Sequence, residues 1–159
     1  MTAIKVANFR RANSQDIPTM STIRLAVREN VLSDPNRISQ KMYEDYLDKL
    51  GRGWVAEIDG VIVGFSYANK TDASIWALFM SPEYEGRGLA KQLLNMAVGW
   101  LFEQGHEIVR LSTSSGTRAD RFYAAQGWTL ERIEGIDSCY LQVSAEVNGR
   151  PQPDLTKQT

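Results

Sequence analysis

The sequence holds one cysteine, Cys139, and one histidine, His106. A lone cysteine excludes an internal disulfide and any multi-thiolate metal site. A lone histidine excludes a multi-histidine site within the chain, so no metal is expected. An excess of one charge is missing too: 18 basic residues stand against 19 acidic ones, a formal charge of −1. That leaves no surplus of cations for the broad phosphate-binding face that nucleic acid requires. No apolar run comes near the ~20 residues that span a bilayer. The first residues, MTAIKVANFRR, lack the apolar centre of a secretory signal. A cytoplasmic protein with neither nucleic-acid nor membrane partners is the expectation. What is present is ordinary: 43% hydrophobic and 23% charged residues in a chain of 159, long enough to bury one sizeable core.

Periodicity orders the elements. Residues 4–10 alternate loosely and predict a strand. Ser14 or Asp16 can cap a helix from Ile17, with Pro18 suited to its first turn. Residues 38–50 predict a second helix with Met42, Tyr46 and Leu50 on one stripe, ended by Gly51 and Gly53. The period then changes. Two apolar runs, residues 54–58 and 61–68, flank Asp59-Gly60, a strong hairpin signal because both turn positions need positive φ. A further strand covers residues 73–80, and Pro82 stops it. Residues 89–104 are amphipathic, with Leu89, Leu93, Ala97 and Leu101 on one face. A short strand at 108–112 leads to a helix capped by Thr117 and closed by Gly127. Residues 128–133 and 138–143 fit a last pair of strands. This order predicts a mixed α/β sheet with a meander feeding strand–helix units. A single domain is expected over residues 1–144, followed by a polar tail at 145–159.

The segment Tyr84-Glu85-Gly86-Arg87-Gly88-Leu89-Ala90 joins the strand at 73–80 to the amphipathic helix. The first turn of a helix carries unpaired N–H groups and the positive end of its dipole, which together attract anions. Glycines at 86 and 88 leave no Cβ to hold a phosphate away from those donors. The pattern is neither a Walker loop nor Gly-x-Gly-x-x-Gly, which disfavours a dinucleotide site.

In this context the segment resembles the pyrophosphate loop of the GNAT N-acetyltransferase superfamily, Gln/Arg-x-x-Gly-x-Gly/Ala, which lies between that family's fourth strand and third helix. Arg121-Phe122-Tyr123-Ala124-Ala125-Gln126-Gly127-Trp128 is similar to the family's Phe-Tyr-x-x-x-Gly-Phe segment on its fourth helix. Both motifs stand in the family's order, and the element order agrees over about residues 4–143. The resemblance implies an α+β mixed sheet of about seven mostly antiparallel strands, splayed between strands 4 and 5, with four helices. It implies acetyl-CoA as co-substrate and direct transfer of acetyl to a primary amine of a small polar molecule or peptide. It also implies a set of cofactor-binding residues. Glu85, Gly86, Arg87, Gly88, Leu89, Ala90 and Lys91 would cradle the pyrophosphate. Leu78, Phe79 and Met80 would pair with the pantetheine arm, a backbone N–H near Phe79 or Met80 meeting the thioester carbonyl. Phe122 and Tyr123 would complete the site, Tyr123 as the general acid that protonates the departing thiolate. Family members commonly dimerise.

Three departures from the family pattern are visible. Glu85 takes the place of Gln or Arg, so its side chain is expected to point outward or to pair with Arg87 or Lys91. No asparagine precedes the last helix, leaving Thr113, Ser115 or Thr117 to supply a polar contact. No carboxylate lies on the strand at 73–80, where Trp76 stands instead. Glu29, Asp34 and Glu83 remain as candidate bases. Arg28, Glu29, Asn30, Asp34 and Trp76 are the candidate acceptor-binding residues. The last two departures keep open an alternative, a sensor that binds acyl-CoA without turnover.

Overall fold

The structure, a computed structural model, describes residues 6–26 and 40–144. The candidates Arg28, Glu29, Asn30 and Asp34, and the expected tail at 145–159, lie outside the described residues. In chain order the elements are β1 (Asn8–Arg11), α1 (Ile17–Ala26), α2 (Gln40–Asp45), β2 (Gly51–Ile58), β3 (Val61–Asn69) and β4 (Ser74–Met80). They continue with α3 (Leu89–Glu103), β5 (Ile108–Ser114), α4 (Arg118–Ala125), β6 (Thr129–Glu134) and β7 (Asp137–Val143). The strands form one seven-stranded sheet in the order β1-β2-β3-β4-β5-β7-β6. Only the β4–β5 neighbours run parallel; the others are antiparallel.

The sheet has two buried faces. Against one packs α3, whose Leu93, Leu94, Ala97 and Leu101 join Trp54, Ala56, Ile58 and Val63 in the larger core. Against the other lie α1 and α2, where Met20, Ile23 and Tyr43 meet Val55, Phe65, Tyr67 and Ala77. Fully burying a side chain of this size contributes roughly 1.5–3 kcal/mol. The Asp59-Gly60 hairpin forms as expected, with φ of 52° and 78°.

Three local expectations are corrected. The cap before the first helix is Asn13, whose side chain accepts the Gln15 N–H while Asp16 accepts the Asn13 N–H. A 3-10 turn, Ser14–Asp16, then leads into α1. The second helix ends at Asp45 rather than near Leu50: the Leu50 N–H reaches the Asp45 carbonyl, a wider turn than an α-helix makes. Gly51 and Gly53 therefore do not terminate a helix but belong to β2. Gly51 is needed there because a Cβ would collide with the Ala68 carbonyl oxygen.

The sheet is disturbed at one place that matters for the site. Across β3 and β4, Tyr67 pairs with Ala77 but Ala68 pairs with Ile75, so Trp76 is an extra residue in a bulge. On the other side of β4, the ladder to β5 consists of the pair Ser74↔Arg110, supported by the Arg110 N–H to the Ala73 carbonyl at 3.0 Å. Beyond it the two strands part, and the β4 edge from Ile75 to Met80 faces an opening.

Candidate active site

The loop after β4 is built to expose amides. A 3-10 turn, Pro82–Tyr84, turns the chain out of the sheet. Gly86 and Gly88 follow with φ of 79° and 80°, a left-handed conformation that other residues adopt only under strain. Gly88 is the N-cap of α3, and no side chain caps that helix. Its first-turn N–H groups thus have no side-chain acceptor, and the positive end of a 15-residue helix lies behind them. A Cβ at Gly88 would meet nothing within 4 Å, and the helix start from Gly88 to Lys91 lines an open cavity.

Glu85 does not pair with Arg87 or Lys91. Its carboxylate takes an ion pair from Arg118, the first residue of α4, at 2.6 Å. Arg87 instead lies over the Tyr84 ring, 4.9 Å from its centroid. Arg118 lies outside both sequence motifs. A cation in the first turn of a helix, against the dipole, is the signal that would have found it.

Helix α4 crosses the opening between β4 and β5, and its start is fixed from several sides. Thr117 caps it, accepting the Asp120 N–H at 3.2 Å and donating to the Ser114 carbonyl at 2.7 Å. Asp120 accepts the Gly116 N–H at 2.8 Å and the Tyr140 hydroxyl at 2.5 Å. The Tyr140 bond, then that N–H, hold the Asp120 carboxyl below the usual carboxylate range. The same bond pushes the Tyr140 hydroxyl up to about 12.

Tyr123, one turn further on, is 7% exposed. Its ring centroid lies 5.4 Å from Phe122 and 6.1 Å from both Trp128 and Tyr140. Its hydroxyl has no hydrogen-bond partner among the described residues. Burial raises its pKa well above the ordinary tyrosine value, so it keeps its proton through the neutral range.

Two cavities meet at this tyrosine. One, of about 590 Å³, runs from the glycine loop to α4. The other, of about 860 Å³, opens between β4 and β5 on the far side of the splay. Both are lined by Leu78, Phe79, Ala119 and Tyr123. A molecule lying in each would meet the other beside the Tyr123 side chain.

The structure gathers most of the expected residues. Leu78, Phe79, Met80, Glu85, Gly86, Gly88, Leu89, Ala90, Lys91, Phe122 and Tyr123 all line the smaller cavity. Arg87 does not, being docked on Tyr84. Thr113 lines the larger cavity, as does Trp76. The Ser115 hydroxyl is bonded to Ser138 at 2.8 Å, and Thr117 is spent on its cap. Glu83 is exposed and lines neither cavity. Tyr67 is core, donating to the Tyr43 carbonyl at 3.3 Å. His106 sits at the opposite end of the sheet, 2.8 Å from the Lys70 carbonyl. Arg24, which lines the larger cavity and is 5% exposed, had not been anticipated. The buried Trp76 Nε1 has no partner among the described residues.

Among the described residues no cluster of histidine, cysteine or carboxylate side chains could hold a metal ion, and no helix is long and apolar enough to cross a membrane.

Comparison with known proteins agrees with this geometry. A curated N-acetyltransferase of Archaeoglobus fulgidus, itself uncharacterised, is 34% identical over 82 residues, 45% of this chain and 56% of that protein. A ycf52-like N-acetyltransferase of Prochlorococcus marinus, likewise uncharacterised, is 36% identical over 73 residues, 44% of this chain and 39% of that protein. The matches thus span about half the length of these curated relatives or less. The solved PaiA N-acetyltransferase of Thermoplasma acidophilum, in complex with coenzyme A, shares the fold at 18% identity. It aligns with a TM-score of 0.74 over 87% of this chain and 99% of that one. The family model for the acetyltransferase (GNAT) family matches residues 19–128, more than half of the sequence. The chain belongs to the GNAT acetyltransferase family.

Proposed function

We propose that the protein transfers an acetyl group from acetyl-CoA to the primary amine of a small polar molecule or peptide, by direct attack in a ternary complex. The observation that carries this reading is the pair of cavities joined at Tyr123, one of them ending on an uncapped helix N-terminus. The residues fit the cofactor. Amides from Gly86 to Lys91 suit a diphosphate. The unpaired β4 edge from Leu78 to Met80 suits the amides of an extended pantetheine arm, which pairs as a further strand would.

Tyr123 then acts as the general acid. The amine nitrogen attacks the thioester carbon, a C–N bond forms, the C–S bond breaks, and the leaving sulfur takes the Tyr123 proton. The surplus proton on nitrogen leaves to water in the open cleft, from which Tyr123 is reprotonated. A donor from the β4 backbone near Phe79 or Met80 meets the charge that develops on the carbonyl oxygen. On the acceptor side, the buried Trp76 Nε1, which has no partner among the described residues, suits a polar acceptor better than an apolar one. The reading includes a cytoplasmic setting.

A thiol-release assay with acetyl-CoA and a panel of amines tests it, with mass spectrometry of the product. Amine-dependent release with one acetyl gained per thiol is the expected result. Tight acetyl-CoA binding with no release on any amine would instead favour a sensor.

A further inference from the structure

We propose that Arg118 is a diphosphate-binding residue of the cofactor site and that Glu85 is the group that holds it in place. This rests on the cofactor reading above. The smaller cavity is lined by three charged side chains among the described residues: Glu85, Lys91 and Arg118. A carboxylate beside a cradle of amides opposes any phosphate that enters. The structure resolves this conflict by bringing a guanidinium onto that carboxylate, Arg118 Nη1 to Glu85 Oε2 at 2.6 Å.

Three observations give the pair a task beyond bracing. First, a guanidinium presents donors along more than one edge, so a nitrogen engaged with Glu85 does not prevent another from meeting a phosphate. Its Nη2 lies 4.0 Å from where a Gly86 Cβ would be, beside the loop whose amides form the cradle. Second, Arg118 opens α4, the end of a helix where a cation is disfavoured, and a choice against local preference marks a functional position. Third, the two side chains are 58% and 30% exposed, and a pair so open to water contributes little to stability. Placing a cation is what it accomplishes. The α4 start that carries Arg118 is rigid, capped by Thr117 and tied through Asp120 to Gly116 and Tyr140. The guanidinium that the loop itself does not bring to its first position is delivered from the neighbouring helix.

The test is calorimetric titration of CoA and of dephospho-CoA into the wild type, R118Q, E85Q and the double variant. Melting of each unliganded protein is recorded alongside. Arg118→Gln is expected to weaken both ligands about tenfold, the scale of one charge-assisted hydrogen bond, with the unliganded melting point essentially unchanged. Glu85→Gln alone is expected to weaken both ligands, but less than R118Q does, since Arg118 loses its ion-pair partner yet keeps an amide oxygen to bond. In the double variant, part of the loss caused by R118Q should be recovered. Unchanged affinity in R118Q overturns the inference. So does a loss confined to CoA, which would place Arg118 on the 3′-phosphate. Equal weakening by E85Q and R118Q with no recovery in the double variant would make the pair a brace only, and would also overturn it. Failure of the wild type to bind CoA at all would sink the cofactor reading first, and this inference with it.

Discussion

At the scale of single residues, the proposed transfer depends most on Tyr123. Tyr123→Phe removes the hydroxyl and leaves the ring packing against Phe122, Trp128 and Tyr140 in place. Turnover should fall about 100-fold, the lower range for loss of a general acid, while CoA affinity stays within about twofold. Steady-state kinetics beside calorimetry checks both numbers, and full activity would remove Tyr123 from the mechanism. Titration gives a second residue-scale test. Burial raises the pKa of Tyr123, Tyr67 and Tyr43 in the fold. Their contribution is complete below the unfolded tyrosine pKa near 10 and is lost as pH rises beyond it. The acid side has the opposite sign. Burial alone would push the Asp16 carboxyl up, but the Arg10 side chain and the Asn13 N–H outweigh it and hold it low. Hydrogen bonds from Arg10 hold the Glu57 carboxyl low as well. Stability from these groups is present above the ordinary carboxylate pKa near 4 and fades as pH falls through their depressed values. Urea midpoints measured across pH should fall at both extremes, and Asp16→Asn should flatten the acid limb.

At the scale of elements, the sequence is most readable where one period governs. Helix α3 and the β2–β3 hairpin were legible because an apolar stripe and an Asp-Gly turn answer to local physics alone. The end of α2 was not. Two glycines after a helical stripe look like a stop signal, yet Gly51 and Gly53 are there because β2 passes close to β3, a contact set by distant residues. Gly51→Ala should therefore cost about 3 kcal/mol by denaturant unfolding, since its Cβ would collide with backbone rather than with a movable side chain. A change below about 0.5 kcal/mol would mean that the strands can part without loss. The bulge at Trp76 escaped prediction for the same reason, since only pairing with Tyr67 and Ala68 reveals it. The β6 edge shows a further element-scale choice. Its Leu130 and Ile133 are exposed, but Glu131, Arg132 and Glu134 and a bulge between Leu130 and Arg132 blunt it. An edge so charged and twisted resists pairing with another strand.

At the scale of the whole molecule, the fold is a device for parting two strands beside a helix N-terminus. The glycine loop, the Phe122-Tyr123 helix and the element order were readable, and they are what bring the cavities together. What the sequence hid was pairing across the chain. Glu85 looks like the wrong charge until Arg118, more than thirty residues away, is seen against it. A protein so arranged should be stabilised by its ligand. At a hundredfold excess over Kd, acetyl-CoA should add about 2.7 kcal/mol, read as a rise in melting temperature that tracks concentration. The most direct test of the central claim is calorimetric titration of acetyl-CoA into the wild type and into Gly88→Asp. The substitution puts a carboxylate on the residue that opens α3, where a Cβ meets nothing within 4 Å, and a left-handed φ costs the fold about 1–2 kcal/mol. Measurable binding by the wild type and none by the folded variant is the expected result. Equal affinity in the two proteins would contradict the claim.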